Sequence, residues 1–139
     1  METQNLTKTI YLFVLNEGWM PFEYGTEKCK AALEERKIFI GDSAEIGNFA
    51  RIGYSAEIGD FAEIGDSAEI GYYAKIGNSA EIGNYAKIGN YAEIGYSAKI
   101  GNFAKIGYFA KIGNSARIGN SAKIGNFAKI GDKEIILKQ

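Results

Sequence analysis

Apolar and polar positions along this chain keep a single period for most of its length. From Ile40 to Lys129 the sequence reads in sixes without a slip, IGDSAE, IGNFAR, IGYSAE and onward to IGNFAK, with Ile first, Gly second and Ala fifth in each unit. The sixth position is always charged, and the third and fourth hold only Asn, Asp, Tyr, Ser or Phe. A further unit, IGDKEI, starts at Ile130 and loses the pattern before the tail ILKQ. An α-helix cannot use this period, because six drifts against about 3.6 residues per turn, and a glycine in every unit costs about 1 kcal/mol each time. A single straight strand fails too, since its side chains alternate with period two and it would run far beyond ordinary strand length. Low-complexity disorder does not place a bulky aliphatic residue at a fixed interval.

The remaining solution is a coil of short strands joined at corners. Positions 5, 6, 1 and 2 make the strand. Alternation then turns Ala and Ile inward and the charged residue and glycine outward. Positions 3 and 4 make the corner, where Asn and Asp tolerate the left-handed backbone of a tight bend. Tyr54, Tyr72, Tyr96 and Tyr108 stand at position 3, so either that position needs no positive φ or these tyrosines are strained.

These hexads, from Ile40 to about Gly131, resemble the hexapeptide-repeat family. The resemblance implies an all-β solenoid, a left-handed parallel β-helix with three hexads in each triangular coil. At 18 residues per coil the repeat makes about five coils, roughly 24 Å tall. Ile40, Ile58, Ile76, Ile94, Ile112 and Ile130 then stack in one inner column. Bare strand edges at the ends of such a stack invite other chains. The head, residues 1–39, is suited to cover one end as a small α/β cap: Thr7–Leu15 reads as a strand and NEGWMPFEYG as a loop around Pro21. TEKCKAALEERK reads as a helix with Thr26 as N-cap and Cys29, Ala32 and Leu33 on the face toward the first coil. Residues 132–139, with the apolar Ile135, Ile136 and Leu137, form an end strand or tail.

Composition narrows the function classes. Sixteen basic and 17 acidic residues give a net charge of -1, which argues against nucleic acid or a membrane surface as partner. The lone Cys29 cannot close an internal disulfide and reads as core filler. The apolar run IYLFVL is too short to span a membrane and lacks the flanks of a signal peptide, so the expected location is the cytoplasm. Relatives by resemblance include acyltransferases with a histidine base at a cleft between trimer subunits, and γ-class carbonic anhydrases with zinc on three histidines. This chain has no histidine. It therefore lacks the usual base near neutral pH and the usual imidazole metal ligands. Carboxylates such as Glu63 and Glu81 would stand on an open face, and no inserted loop interrupts the hexads. Antifreeze relatives present ranks of threonine, a residue absent here after Thr26. No catalytic, cofactor-binding or metal-binding residue is assigned, and no small-molecule substrate is expected.

Information must then lie in positions 3, 4 and 6. Hexads from 40 to 99 carry nine acids against four bases, whereas residues 100–131 carry five bases and no acid. The 18-residue step puts Glu57, Lys75, Glu93 and Lys111 in an alternating column. It also sets Glu45 beside Glu63 and Glu81, and Lys87 beside Lys105 and Lys123. Tyr73, Tyr91, Phe109 and Phe127 fall in one corner column with Tyr72 and Tyr108 beside it, a candidate interaction surface. The expected function is a non-catalytic structural or self-assembling scaffold, a homo-oligomer with the trimer favoured by resemblance and head-to-tail association as a further mode. An acyltransferase-like protein with an unrecognised site, or a protein- or glycan-binding module using the aromatic column, are the alternatives. Repetition this strict is what recent duplication of a short segment, or design, leaves behind.

Overall fold

In the computed structural model each hexad contributes one short strand at its sixth and next first positions, and one tight turn between strands. The structure describes residues 8–137. Thr7, where the first strand is expected to begin, lies outside them, as do the start of the head and the last two residues of the tail. The coil strands are β3 (Phe39–Ile40), β4 (Glu45–Ile46) and β5 (Ala50–Ile52), continuing at six-residue intervals to β19 (Ile135–Ile136). Every third strand joins the same parallel sheet, so three sheets form the sides of a triangular coil. They are named here for their first coil residue: the Phe39 side, the Glu45 side and the Arg51 side.

The register is the 18-residue step throughout. Ile58 lies on Ile76, Ile76 on Ile94 and Ile94 on Ile112, with the outward charged residues paired in the same way. Alanines from Ala50 to Ala122 and isoleucines from Ile46 to Ile124 are buried and make one continuous core. Position-6 and position-2 amides donate upward to the next coil, as Glu57 N does to Ala74 O at 2.9 Å and Gly59 N to Ile76 O at 2.8 Å.

The corner differs from the sequence expectation. Positive φ falls at position 4, from Ser43 (60°) through Tyr73 (61°) to Phe127 (66°), and at no position-3 residue. Except at Ala50, which joins β5, the corners close with the position-5 amide donating to the position-2 carbonyl, Ala74 N to Gly71 O at 3.2 Å for instance. A turn of that span with positive φ at its third residue has the form of type II. Asn and Asp at position 3 act otherwise. Their Oδ1 accepts from the position-3 amide of the coil below, as Asn90 does from Tyr72 N at 2.9 Å and Asn102 from Asn84 N at 2.8 Å. The tyrosines at position 3 are therefore free of positive φ. Their cost is a missing acceptor for the coil beneath.

The head forms a cap with one correction. β1 (Thr9–Val14) is a strand, but Gly18–Glu23, expected as a loop, is a second strand, β2, pairing antiparallel with β1. Pro21 is tolerated because β2 is the outer edge of its sheet. β1 pairs in parallel with β5, so Ile10 and Leu12 are buried beneath Ala50 and Ile52 as a coil strand would be. Thr9 takes the part of a corner residue: its amide donates to Asn48 Oδ1 at 2.8 Å and its carbonyl accepts from Phe49 N at 2.6 Å. α1 (Glu27–Glu35) has Thr26 as N-cap, the hydroxyl accepting from Cys29 N at 3.1 Å. Cys29 and Ala32 are buried and Leu33 packs against the core. No helix among the described residues is long and apolar enough to cross a membrane.

Coil geometry also runs past the regular hexads. Lys37 has φ 58° and Ser55 N donates to Arg36 O, the pattern of a corner, so Ile38 fills an alanine position and Phe39 a charged one. At the other end Lys133 has φ 64°, and β19 pairs with Arg117–Ile118, placing Ile135 outward and Ile136 inward. β17 (Lys123–Ile124), β18 (Lys129–Ile130) and β19 are the last strands of their sheets, and Ile130 and Ile136 are only half-buried there.

Candidate functional site

The predicted column assembles at the corner between the Arg51 and Phe39 sides. Tyr73 stacks on Tyr91 with ring centroids 4.9 Å apart, Tyr91 on Phe109 at 4.8 Å and Phe109 on Phe127 at 5.1 Å. Interplanar angles are 6°, 2° and 2°. The coil rise sets this spacing. Identical backbone at each position 4 then forces the rings into register, and each stacked pair contributes about 0.5–1.5 kcal/mol beyond its buried area. That offsets part of the cost of left-handed backbone at a bulky residue, about 1–2 kcal/mol each. All four rings are exposed, from 45% for Tyr91 and Phe109 to 69% for Phe127. A flat apolar ribbon thus runs up one corner.

The two flanking tyrosines behave differently. Tyr72 leaves the ribbon and stacks on Tyr54 at 5.8 Å and 25°. Tyr54 meets Phe13 edge-on, and Phe13 meets Trp19, so this second set ties the corner to the cap. Arg51 lies 5.7 Å over the Trp19 ring and 3.9 Å from Glu69. Sequence reasoning missed this cluster, because β2 carries Trp19 and was not recognised as a strand. Tyr108 is exposed beside Phe109. A shorter ladder, Tyr85 on Phe103 at 5.0 Å and 2°, occupies the corner between the Glu45 and Arg51 sides.

Each of the three sides is an open, shallow surface walled by repeated position-6 side chains and floored by glycine. The register of the charged columns is as expected, with Glu57, Lys75, Glu93 and Lys111 alternating. Among the described residues the ion pairs are Lys30–Glu27, Arg36–Glu35 and Arg51–Glu69, none of them in that column. Shifted acidities occur in the cap instead. Burial pushes the Cys29 thiol up, against a smaller lowering by a backbone hydrogen bond from Gly25, and burial and then Cys29 push Tyr24 up.

The pattern of the bacterial transferase hexapeptide family (six repeats) matches residues 61–96 and again 97–132, just over half of the chain. No curated protein sequence matches. Among solved structures, UDP-N-acetylglucosamine acyltransferase from Francisella novicida is similar over 69% of this chain, with TM-score 0.62 and 20% identity. PerB from Caulobacter crescentus, solved with CoA and GDP-perosamine, is similar over 71%, with TM-score 0.58 and 17% identity. The chain spans 39% of the first protein and 50% of the second. At these identities the likeness is one of fold. With the family pattern matched twice in succession and three parallel sheets stacked at an 18-residue step, the chain belongs to the hexapeptide-repeat family of left-handed β-helices.

Proposed function

We propose that this chain is a non-catalytic structural module that associates with copies of itself through the aromatic corner, as a trimer with the three ribbons turned inward. The observation that carries the reading is the ribbon itself: four rings, stacked with their planes parallel within a few degrees and all exposed along successive coils. Aromatic side chains are enriched at protein interfaces because they bury much area at little conformational cost. The trimer is what the family resemblance implies. The absence of histidine from the chain and the unbroken run of hexads support the non-catalytic part, since neither a neutral-pH base nor a walled cleft is on hand. The activities of the two similar structures belong to those proteins.

Changing Tyr73, Tyr91, Phe109 and Phe127 together to serine tests the reading. Serine already occupies position 4 in many hexads, so the β-signal in circular dichroism is expected to persist while the mass in solution falls to that of one chain. An unchanged mass overturns the proposal. Loss of capture of an oligosaccharide or a second protein, with unchanged self-association, favours the binding-module alternative. Turnover with acetyl-CoA and a panel of amino or hydroxyl acceptors, abolished by a surface carboxylate substitution, favours the acyltransferase-like one.

A further inference from the structure

The three sides carry different charge patterns, and one is incomplete within its own chain. On the Phe39 side, Glu57, Lys75, Glu93 and Lys111 alternate, so every carboxylate has a cation in register above or below it. On the Arg51 side, Arg51 and Glu69 pair, and Lys87, Lys105 and Lys123 follow. The Glu45 side reads Glu45, Glu63, Glu81, Lys99, Arg117, Ile135 from the capped end to the open end. Its acids are consecutive and so are its bases, with adjacent charges one strand spacing apart, about 4.8 Å. Only Glu81 and Lys99 meet an opposite charge. Lys8 also lines this side.

We infer that the Glu45 side is a contact surface for the same side of a second copy, with the two coil axes antiparallel. A two-fold axis running along the strand direction lays one position-6 column on the other in reverse order. Glu63 then faces Arg117 of the other copy and Glu81 faces its Lys99, each twice by symmetry, while Glu45 meets Ile135. Every like-charged run is set against its opposite. The reverse arrangement, with axes parallel, sets acid on acid and base on base. Applied to the Arg51 side, the antiparallel operation puts Arg51 against Lys123 and Lys87 against its own copy, with only Glu69 and Lys105 opposed, so repulsive contacts outnumber attractive ones there. Parallel sheets, moreover, are ordinarily covered on both faces, and this one has its outer face bare.

The inference builds on the proposed corner-mediated association and fits its geometry. In a triangular coil the corner between the Arg51 and Phe39 sides lies opposite the Glu45 side. A trimer gathered about its aromatic ribbons therefore turns all three Glu45 sides outward. One such side offers on the order of 400 Å² per copy, from five coils of about 4.8 Å and a width of some 18 Å. That is half of a standard interface, so a lone contact is weak and salt-sensitive, and repeated contacts between trimers gain by multivalency.

Sedimentation velocity of the full chain at low salt, and again at about 0.5 M salt where surface charges are screened, tests the pairing. Species larger than the trimer are expected at low salt and lost at high salt. Glu63→Lys with Glu81→Lys, and separately Lys99→Glu with Arg117→Glu, are each expected to abolish these species, and an equal mixture of the two variants to restore them. The fourfold reversal keeps the pattern of neighbours from position 63 to position 117 and gives Glu45 an opposite charge beside it, which guards against a folding defect. It is expected to pair with itself as the parent does, and to pair with the parent at least tenfold more weakly. Double variants that retain the larger species, or a fourfold variant that mixes freely with the parent, overturn the inference. Adding the corner serine substitutions separates the two readings: if the ribbon fails as an interface the mass at high salt is unaffected by them, whereas charge-dependent pairing of single chains into dimers survives.

Discussion

Glycine recurs at position 2 for a reason that a matched pair of substitutions can measure. These glycines do not need positive φ, which among the described glycines occurs only at Gly18 and Gly25. What they need is room. A Cβ built on Gly89 falls 2.7 Å from Gly107 C, 2.8 Å from Tyr108 N and 2.9 Å from Gly107 O, all main chain of the next coil. Gly125 stands in the same column two coils on, at the open end, and a Cβ there meets nothing within 4 Å. Replacing either glycine by alanine removes the same conformational freedom from the unfolded chain, a gain of about 0.4–1 kcal/mol. At Gly89 the two coils must also separate by several tenths of an ångström, breaking the fit of both, which costs about 1–3 kcal/mol as overpacking does elsewhere. Gly125→Ala is thus expected to be neutral or stabilising and Gly89→Ala destabilising. Their difference, about 1–3 kcal/mol, isolates the overlap because chemistry, column and backbone class are shared. Thermal unfolding followed by circular dichroism reads it, with about 4 °C per kcal/mol for a chain of this length. Equal melting temperatures for the two variants would refute the claim that coil spacing, and not backbone conformation, dictates glycine.

Further tests address the ladder, the cap and the surfaces. Asn78 N lacks the side-chain acceptor found elsewhere because Tyr96 stands above it, so Tyr96→Asn is expected to raise the urea midpoint by an amount equivalent to about 0.5–1.5 kcal/mol. No rise would mean that these side-chain bonds contribute nothing net. Cys29, fully buried with its thiol pKa pushed up by burial, is expected to resist a disulfide reagent until the chain unfolds. Because the native thiol binds its proton more tightly than the unfolded one, that contribution to stability is complete below the unfolded pKa. It declines from about pH 9 upward, a trend that Cys29→Ala should reduce but not abolish while Tyr24 remains. The serine substitutions at the aromatic corner and the charge reversals on the Glu45 side complete the set.

Much of this architecture was legible because the 18-residue step converts sequence neighbours into spatial ones. The inward Ile and Ala columns, the charged registers and the aromatic column follow from counting, and Thr26 announces α1 by its place before a helical run. What counting could not supply were interactions that depend on a partner elsewhere. β2 contains Gly18 and Pro21, both poor strand residues, and exists because β1 offers an edge to pair with. Ser, Phe and Tyr have no preference for left-handed backbone, so the sequence pointed to Asn and Asp as the corner's special residues. The turn bond from position 5 to position 2 decides instead that position 4 bends. Asn and Asp were visible at position 3, but their task, bonding an amide 18 residues earlier, appears only when coils are stacked. Lys37 to Phe39 kept the alternation of a coil while changing every residue type, and escaped notice for that reason.

The corner chemistry also explains why the two kinds of aromatic residue do different work. At position 3 the side chain belongs over the coil below, where Asn Oδ1 normally accepts an amide. A ring placed there is drawn inward: Tyr72 Cδ1 lies where a Cβ on Gly53 would be 2.5 Å away, and Tyr72 stacks tilted on Tyr54. Tyr54 and Tyr72 thus replace a hydrogen bond with packing between coils and are half-buried by doing so. At position 4 positive φ turns the side chain away from the coil, and the amide is already engaged, as Tyr91 N is with Tyr72 O at 2.9 Å. Apart from Phe49, which meets Tyr11 of the head, a ring there finds a ring partner only in its counterpart one coil up or down. It stacks flat at the coil rise and leaves its outer edge and the column's face to solvent. At position 3, Tyr54 and Tyr72 therefore pack between coils, whereas Tyr96 and Tyr108 stay exposed, and at position 4 the rings form the continuous stack. Of the six residues singled out, Tyr73, Tyr91, Phe109 and Phe127 thus form the stacked ribbon, Tyr72 packs on Tyr54 behind it, and Tyr108 stays exposed beside Phe109.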